Sequence, residues 1–155
     1  MDGRPLQDVL KVQCYGCGAL NAHGMQIKSH WDGGDELVCI WQPQPYHIGH
    51  PGVVYGGTIA SVVDCHAVWT ALATRCPDEG IDLAHGAPPF AVVTGRLSVS
   101  FLTPAVIDQP LELRAKVVDA GPRRATVACR VLQRGSECAT AEVVTVRVAR
   151  HGVTP

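Results

Sequence analysis

Residues 56–75 read GGTIASVVDCHAVWTALATR and decide the fold, because they form the one convincing long helical pattern in the chain. Apolar residues surround almost the whole circumference of this predicted helix: Ile59, Ala60, Val62, Val63, Ala67, Val68, Trp69, Ala71 and Leu72. A helix that is apolar on nearly every side must be enclosed by other elements. We therefore expect one long helix that the rest of the domain wraps.

The segments on both sides of the helix have the two-residue periodicity of half-buried strands. Four runs follow it, with these apolar positions: Leu97, Val99 and Phe101; Leu111, Leu113, Ala115 and Val117; Val127, Cys129 and Val131; Val144, Val146 and Val148. Two weaker strands, residues 26–31 and 36–41, precede the helix and flank a hairpin turn at residues 32–35. These patterns predict an α+β domain in which a curved antiparallel sheet of about six strands wraps around one central helix.

Composition limits the classes of function. A chain of 155 residues, 46% of them hydrophobic, is expected to form a single domain over residues 1–155. The net charge is −1 and the basic residues are spread along the chain without clusters, so we expect no nucleic-acid partner. No apolar run is long enough for a membrane span, and residues 1–10 have no signal-peptide pattern. Seven cysteines, an odd number, favour free thiols in the cytoplasm.

Asp64 is the residue that fits the helix least well. It lies mid-helix with Ala60, Ala67 and Val68 on its own face, and a buried carboxylate is costly unless it is paired or has a function. A catalytic acid is one interpretation. The other is a structural aspartate that backbone groups, His66 or Arg75 satisfy.

Glycines at the start of the helix, Gly56 and Gly57, leave its free N–H groups open to a ligand, as an oxyanion hole requires. Gly56 and Asp64 are eight residues apart, which is about 12 Å of helix. One substrate carbonyl cannot reach both on a single helix. If both act on one substrate, the site must combine Asp64 of one subunit with Gly56 of another.

A C-x-x-C pair, Cys14 and Cys17, is followed by His23 and His30. A structural zinc ion needs four ligands, and the chain has no second C-x-x-C. We therefore predict a glycine-rich loop here and no metal. No Ser or Cys lies in a G-x-S-x-G elbow, which argues against a Ser-His-Asp hydrolase.

Four segments together resemble the PaaI-like branch of the hotdog thioesterase superfamily. They are CYGCGALNAHGM (14–25), HPGVVYGGTIASVVD (50–64), VTGRLSVSFLTPA (93–105) and the strand-rich run 111–148. The resemblance covers nearly the whole chain. It implies hydrolysis of an acyl-coenzyme A thioester, with coenzyme A as part of the substrate and no further cofactor, in a homodimer or a dimer of dimers.

The resemblance also implies roles for individual residues. Asp64 takes the place of the catalytic acid, acting as nucleophile or as base for water. Gly56 takes the place of the oxyanion-hole amide, and Thr94 falls where some relatives carry a hydroxyl close to the attacking water. Gly49 corresponds to an asparagine that holds substrate or water in many relatives, and Tyr55 replaces the family's histidine.

Coenzyme A carries several phosphate charges, and the chain has no strong basic tract to meet them. Arg123 and Arg124, after the Gly121-Pro122 turn, are candidates for the phosphate contacts, and two solvated arginines at a hairpin end are an equal alternative. Tyr55 and Gly57 are placed with Gly49 among the substrate-binding residues. Two further functions stay open, a non-catalytic acyl-thioester-binding protein and a hotdog enoyl-CoA hydratase or dehydratase.

Overall fold

The computed structural model describes residues 4–150, so residues 1–3 and 151–155 of the predicted domain lie outside the described range. The α-helices are α1 (Leu6–Leu10) and α2 (Gly56–Asp78), and two short 3-10 helices lie at Pro45–His47 and Leu83–His85. The strands are β1 (His30–Trp31), β2 (Leu37–Trp41), β3 (Ile48–His50), β4 (Val53–Val54), β5 (Phe90–Phe101), β6 (Leu111–Ala120), β7 (Arg124–Gln133) and β8 (Ser136–Ala149).

Six of the strands form one antiparallel sheet in the order β1-β2-β6-β7-β8-β5, while β3 and β4 pair separately just before α2. The long helix α2 contacts β2, β5, β6, β7 and β8 of the large sheet. The hairpin between β1 and β2 turns at residues 32–35, where Gly33 has φ 93°. The predicted α+β architecture, with a six-stranded sheet around one long helix, is confirmed.

Burial of α2 explains why the sheet curls around it. Its buried residues cover several faces of the helix: Ile59, Val62, Val63, His66, Ala67, Trp69, Thr70, Ala71, Leu72, Ala73 and Cys76. Near its end, the Arg75 guanidinium donates hydrogen bonds to the carbonyls of Gly121 and Pro122, which fastens the helix to the β6–β7 turn. Between residues 4 and 150 no helix is long and apolar enough to cross a membrane.

The predicted inner face of β8 is wrong. Val143 and Thr145 are buried against the helix side, whereas Val144 and Val146 are half-buried on the outer face and Val148 is 36% exposed. Both faces of this strand carry apolar residues, so alternation alone does not tell which one lies inside. The Thr145 hydroxyl can be buried because it donates to the carbonyl of Ala125.

Two further strand predictions need correction. Phe101, expected in the core with Leu97 and Val99, is 57% exposed at the end of the edge strand β5. The strand predicted over residues 26–31 shrinks to His30–Trp31. Gln26 has φ 54°, in the left-handed region, and its side-chain amide donates to the carbonyls of Gly18 and Asn21. This residue therefore closes the preceding loop instead of pairing in the sheet.

Candidate active site

Asp64 is half-buried in the middle of α2 and accepts a hydrogen bond from the Thr94 hydroxyl of β5 at its Oδ1 atom. Within residues 4–150, the Asp64 side chain makes no other hydrogen bond. The second carboxylate oxygen, Oδ2, is therefore available to a water molecule or a substrate. The structure brings together two of the three predicted catalytic residues.

A β-bulge gives Thr94 its position. The pairing of β5 with β8 shifts register between Thr94 and Arg96, so Gly95 is the extra residue. Bulges redirect neighbouring side chains and are frequent beside active sites. A side chain at position 95 would approach Val146 Cγ2 to 2.8 Å, which explains the glycine. The bulge is thus the local feature that places Thr94 opposite Asp64.

Asp64 and Thr94 both line a cavity of about 430 Å³ between α2, β5 and the N-terminal segment. Most of its walls are apolar and include Val12, Val68, Trp69, Leu72, Phe90 and Val92. This volume lies within the usual range for small-molecule sites, which combine apolar walls with a few polar groups. The cavity suits an apolar chain whose polar end meets the carboxylate.

The two side chains considered as structural partners of Asp64, His66 and Arg75, form their hydrogen bonds with other groups. His66 lies on another side of α2, where its Nε2 atom donates to the carbonyl of Leu37 and its Nδ1 atom accepts from the Ser29 hydroxyl. Ser29 in turn is bonded to Gln7, so the buried polar chain is complete. Desolvation lowers the pKa of His66 to about 4. The imidazole is therefore neutral at physiological pH, and its role is to complete the hydrogen bonds of the core.

This burial predicts a pH-dependent stability. The unfolded chain binds a proton at His66 below about pH 6.5, whereas the folded chain does so near pH 4. The contribution of His66 to the free energy of unfolding is therefore fully present above the unfolded pKa. It is lost as the pH decreases between these two values, by roughly 3 kcal/mol in total. Urea titrations from pH 7 to 4.5 measure the slope, which should be shallower in His66→Gln. An equal slope in both proteins contradicts the prediction.

The predicted residues at the start of α2 form a second cluster. Gly56 and Gly57 open the helix, and their N–H groups have no backbone partner within the described chain. The Tyr55 ring covers this turn so closely that a side chain at position 57 would lie 2.4 Å from Tyr55 Cε1. Gly49 in β3 abuts the Tyr55 backbone, where an added Cβ would lie 2.9 Å from its Cα. Gly49, Tyr55, Gly56 and Gly57 are therefore neighbours.

Gly56 and Asp64 line different cavities of the chain. Gly56 lines a cavity of about 300 Å³ with Phe101 and Leu102, and Asp64 does not belong to its walls. Neither Gly56 nor Tyr55 belongs to the larger cavity that contains Asp64. Within one chain the predicted oxyanion-hole amide and the carboxylate are thus apart, as the helix rise of about 12 Å requires.

Arg123 and Arg124 lie exposed at the β6–β7 turn, and neither guanidinium pairs with a carboxylate in residues 4–150. The Arg75 bonds to this turn place it beside the last turns of α2. The helix from Gly56 to Arg75 is roughly 28 Å long. The two arginines are therefore remote from Gly56 of the same chain.

A group of three thiols lies on the wall of the cavity that contains Asp64, and the sequence pattern indicated only two of them. Cys14, Cys17 and Cys65 lie together there, and all seven cysteines of the chain are free. The neighbouring Cys65 thiol, aided by the Trp69 N–H and opposed by burial, lowers the pKa of Cys17 below its usual range. The C-x-x-C spacing gave a partial signal, but nothing in the sequence linked it to the residue after Asp64.

The sequence profile of the thioesterase superfamily matches residues 51–140. A thioesterase superfamily protein of Shewanella loihica has 30% identity, with a TM-score of 0.64 over 82% of this chain and 95% of its own. The E. coli PaaI protein of the phenylacetic acid degradation operon has 14% identity and a TM-score of 0.62, over 81% of both chains. A Bacillus halodurans protein solved with CoA has 22% identity and a TM-score of 0.61, over 80% of this chain and 72% of its own. No curated protein matches the sequence.

Proposed function

The chain belongs to the thioesterase superfamily, and we propose that it hydrolyses an acyl-coenzyme A thioester to the free acid and coenzyme A. Membership confirms the resemblance to the PaaI-like hotdog thioesterases, and the profile match spans residues 51–140. The observation that carries the proposal is the Asp64 carboxylate on the wall of a largely apolar cavity, with the Thr94 hydroxyl on one oxygen and the other oxygen available. The cavity would hold the acyl group.

Two routes use this carboxylate. As a general base, Asp64 takes a proton from water, whose oxygen attacks the thioester carbonyl carbon, and collapse of the tetrahedral adduct expels the coenzyme A thiolate. As a nucleophile, Asp64 attacks the carbonyl itself, and the tetrahedral adduct breaks its C–S bond and expels the coenzyme A thiolate. This leaves an acyl anhydride, which water then hydrolyses to the free acid and the Asp64 carboxylate. In either route the Thr94 hydroxyl fixes the orientation of the carboxylate. Both routes need Asp64 ionised and within reach of the carbonyl.

Negative charge develops on the carbonyl oxygen in both routes, and the Gly56 amide of a second subunit is the proposed donor. The N-terminal end of α2 carries the positive end of the helix dipole, which stabilises an oxyanion. Because Gly56 of the same chain lines a different cavity, the complete site requires the partner's helix start beside Asp64. Gly49, Tyr55 and Gly57 would then border the substrate at this boundary.

The surface of the subunit supports such an assembly. Strand β5 is an edge of the large sheet, and unpaired edges invite pairing with another strand. Val93, Phe101 and Leu102 on or directly after this strand are exposed, as is Tyr55 at the helix start. We propose a homodimer through this edge or a dimer of such dimers, in the cytoplasm, where the free thiols would stay reduced.

Coenzyme A recognition would rest on few charges. The Bacillus halodurans neighbour was solved with CoA, which supports a coenzyme A ligand for this fold. Arg123 and Arg124 are exposed and without carboxylate partners in residues 4–150, so their charges are available to phosphates. Both arginines are remote from Gly56 of the same chain. They would therefore contact the nucleotide either in a site shared with a partner chain or at the outer end of a long ligand.

Replacing Arg123 and Arg124 together by alanine should raise KM for an acyl-CoA several-fold at low salt and leave kcat unchanged, because exposed charges act on encounter and binding. The increase should shrink as salt screens the interaction. Lys116→Ala, which removes an exposed charge paired with Asp35, is the control. An unchanged KM at low salt in the double variant would show that the phosphates bind elsewhere.

Release of free thiol from a panel of short, long, branched and aryl acyl-CoAs tests the proposed activity. A thioesterase gives steady thiol release with at least one of them, whereas a non-catalytic binding protein shows affinity without release. Hydration of an enoyl-CoA tests the hydratase alternative. The position of His66 argues against that alternative, because both ring nitrogens are bonded within the core.

A further inference from the structure

Three cysteine sulfurs meet where the N-terminal loop crosses α2. Cys14 and Cys17 come from the loop between α1 and β1, and Cys65 comes from the helix. Their Sγ atoms all lie within 4.8 Å of one another, and those of Cys14 and Cys65 are 3.7 Å apart. The C-x-x-C pair alone offered two sulfurs, which is too few for a metal. Folding supplies the third.

The spacing of the sulfurs matches metal coordination. Zinc–thiolate bonds of about 2.3 Å in tetrahedral geometry put neighbouring sulfurs roughly 3.8 Å apart. The 3.7 Å between the Cys14 and Cys65 sulfurs is close to this edge. A disulfide would need about 2.05 Å. A cation would require the remaining sulfur to approach by no more than about 1 Å, since no pair exceeds 4.8 Å.

The loop is closed tightly around the sulfurs by two glycines. A side chain at Gly18 would lie 2.4 Å from the Cys14 nitrogen, and the Gly18 N–H donates to the Cys14 carbonyl at 2.9 Å. At Gly16, an added Cβ would lie 2.3 Å from the Cys65 sulfur. Both positions therefore favour glycine for close approach. The turn is held in shape before any ligand binds.

A hydrogen-bond donor is aimed at one of the sulfurs. The indole N–H of Trp69 donates to the Cys17 Sγ at 3.0 Å, one helical turn after Cys65. Cys17 is 3% exposed, so this bond fixes its sulfur against the helix. Metal ligands are commonly oriented by such outer hydrogen bonds. The Trp69 N–H is thus an outer hydrogen-bond donor of the kind expected beside a thiolate ligand. This evidence is independent of the sulfur spacing.

We propose that Cys14, Cys17 and Cys65 bind one zinc ion through three thiolates, with the fourth position filled by water from the cavity that Asp64 also lines. Thiolate sulfur favours thiophilic cations such as zinc over magnesium or calcium. The ion would tie the N-terminal loop to α2 beside the acyl cavity. This inference concerns the thiol cluster and does not depend on the proposed hydrolysis.

Metal binding to the reduced, metal-free protein is the test. Zinc added in excess and then removed by gel filtration should leave one ion per chain by elemental analysis. Cobalt added instead should produce a thiolate-to-metal charge-transfer band that zinc abolishes. The two accessible thiols of the cluster, those of Cys14 and Cys65, should become protected from a thiol reagent under native conditions. Absence of bound zinc in the wild-type protein, or a Cys14–Cys65 disulfide formed under the same reducing conditions, overturns the proposal.

Matched variants identify the ligands. Cys65→Ala should weaken zinc binding by at least about a hundredfold, since loss even of outer partners costs 10- to 100-fold. Cys76→Ala is the control, because Cys76 is a buried thiol of the same helix outside the cluster. Trp69→Phe should lower the affinity about tenfold and keep the stoichiometry. Zinc binding that survives Cys65→Ala unchanged overturns the proposed ligand set.

Discussion

Replacing Asp64 by asparagine is expected to lower kcat for acyl-CoA hydrolysis by about 10²- to 10⁴-fold, the usual contribution of a general base. Asparagine has nearly the same shape, and its carbonyl oxygen can still accept the hydrogen bond from Thr94. The variant loses the ability to take a proton from water or to attack the carbonyl as a carboxylate. KM should change little, because the cavity walls remain the same.

The control for this change is Asp78→Asn, at the exposed end of the same helix. It removes one carboxylate from α2 and should keep wild-type kcat. Asp64→Asn that retains activity within a factor of about ten of wild type would rule out the catalytic role. A purely structural Asp64 predicts a different outcome, namely a lower free energy of unfolding in the Asn variant with activity retained in the folded fraction.

How far the fold could be predicted depends on whether local patterns carry the information. The helix was predictable because the apolar residues of 56–75 surround it, and β6 was predictable because Leu111, Leu113 and Ala115 alternate with charged residues. Strand β8 was not, because Val144 and Thr145 are both acceptable inside once the Thr145 hydroxyl has a carbonyl partner. Which face is buried is decided by the neighbouring strands, and alternation does not encode it.

The candidate site likewise has one part that local sequence indicates and other parts that depend on contacts between distant segments. Asp64 was identifiable because a carboxylate in an apolar helix is costly without a purpose. Family resemblance indicated only that the Thr94 hydroxyl would lie close to the attacking water. Its contact with Asp64 was not predictable, because the Gly95 bulge that creates this contact depends on the β5–β8 pairing. The approach of Cys65 to Cys14 joins segments far apart in the chain, so sequence spacing could not predict it.

The separation of Asp64 from Gly56 leads to the prediction that depends most directly on geometry. The two residues are about 12 Å apart along α2 and line different cavities of one chain. A shared substrate carbonyl can therefore meet Asp64 of one subunit and Gly56 of its partner. In a two-fold dimer each of the two sites would then contain one of these residues from each chain.

Two inactive variants can be combined to test this arrangement. Asp64→Ala removes the carboxylate, and Gly56→Pro removes the amide donor at the first helical position, where proline is well tolerated. A side chain there would lie 3.2 Å from Phe101 Cζ, and the exposed phenyl ring can shift to make room. We therefore expect both variants to fold and each alone to be nearly inactive.

Unfolding and refolding an equal mixture of the two variants lets the subunits exchange at random, so about half of the dimers should be mixed. Each mixed dimer has one site with both defects and one site with neither, because the intact Asp64 comes from one chain and the intact Gly56 from the other. The mixture should therefore recover roughly a quarter of wild-type activity. Each variant refolded alone is the control, and native mass spectrometry measures the mixed fraction. If mixed dimers form and no activity returns, the site is not shared, because a site built within one subunit cannot be restored by any mixture.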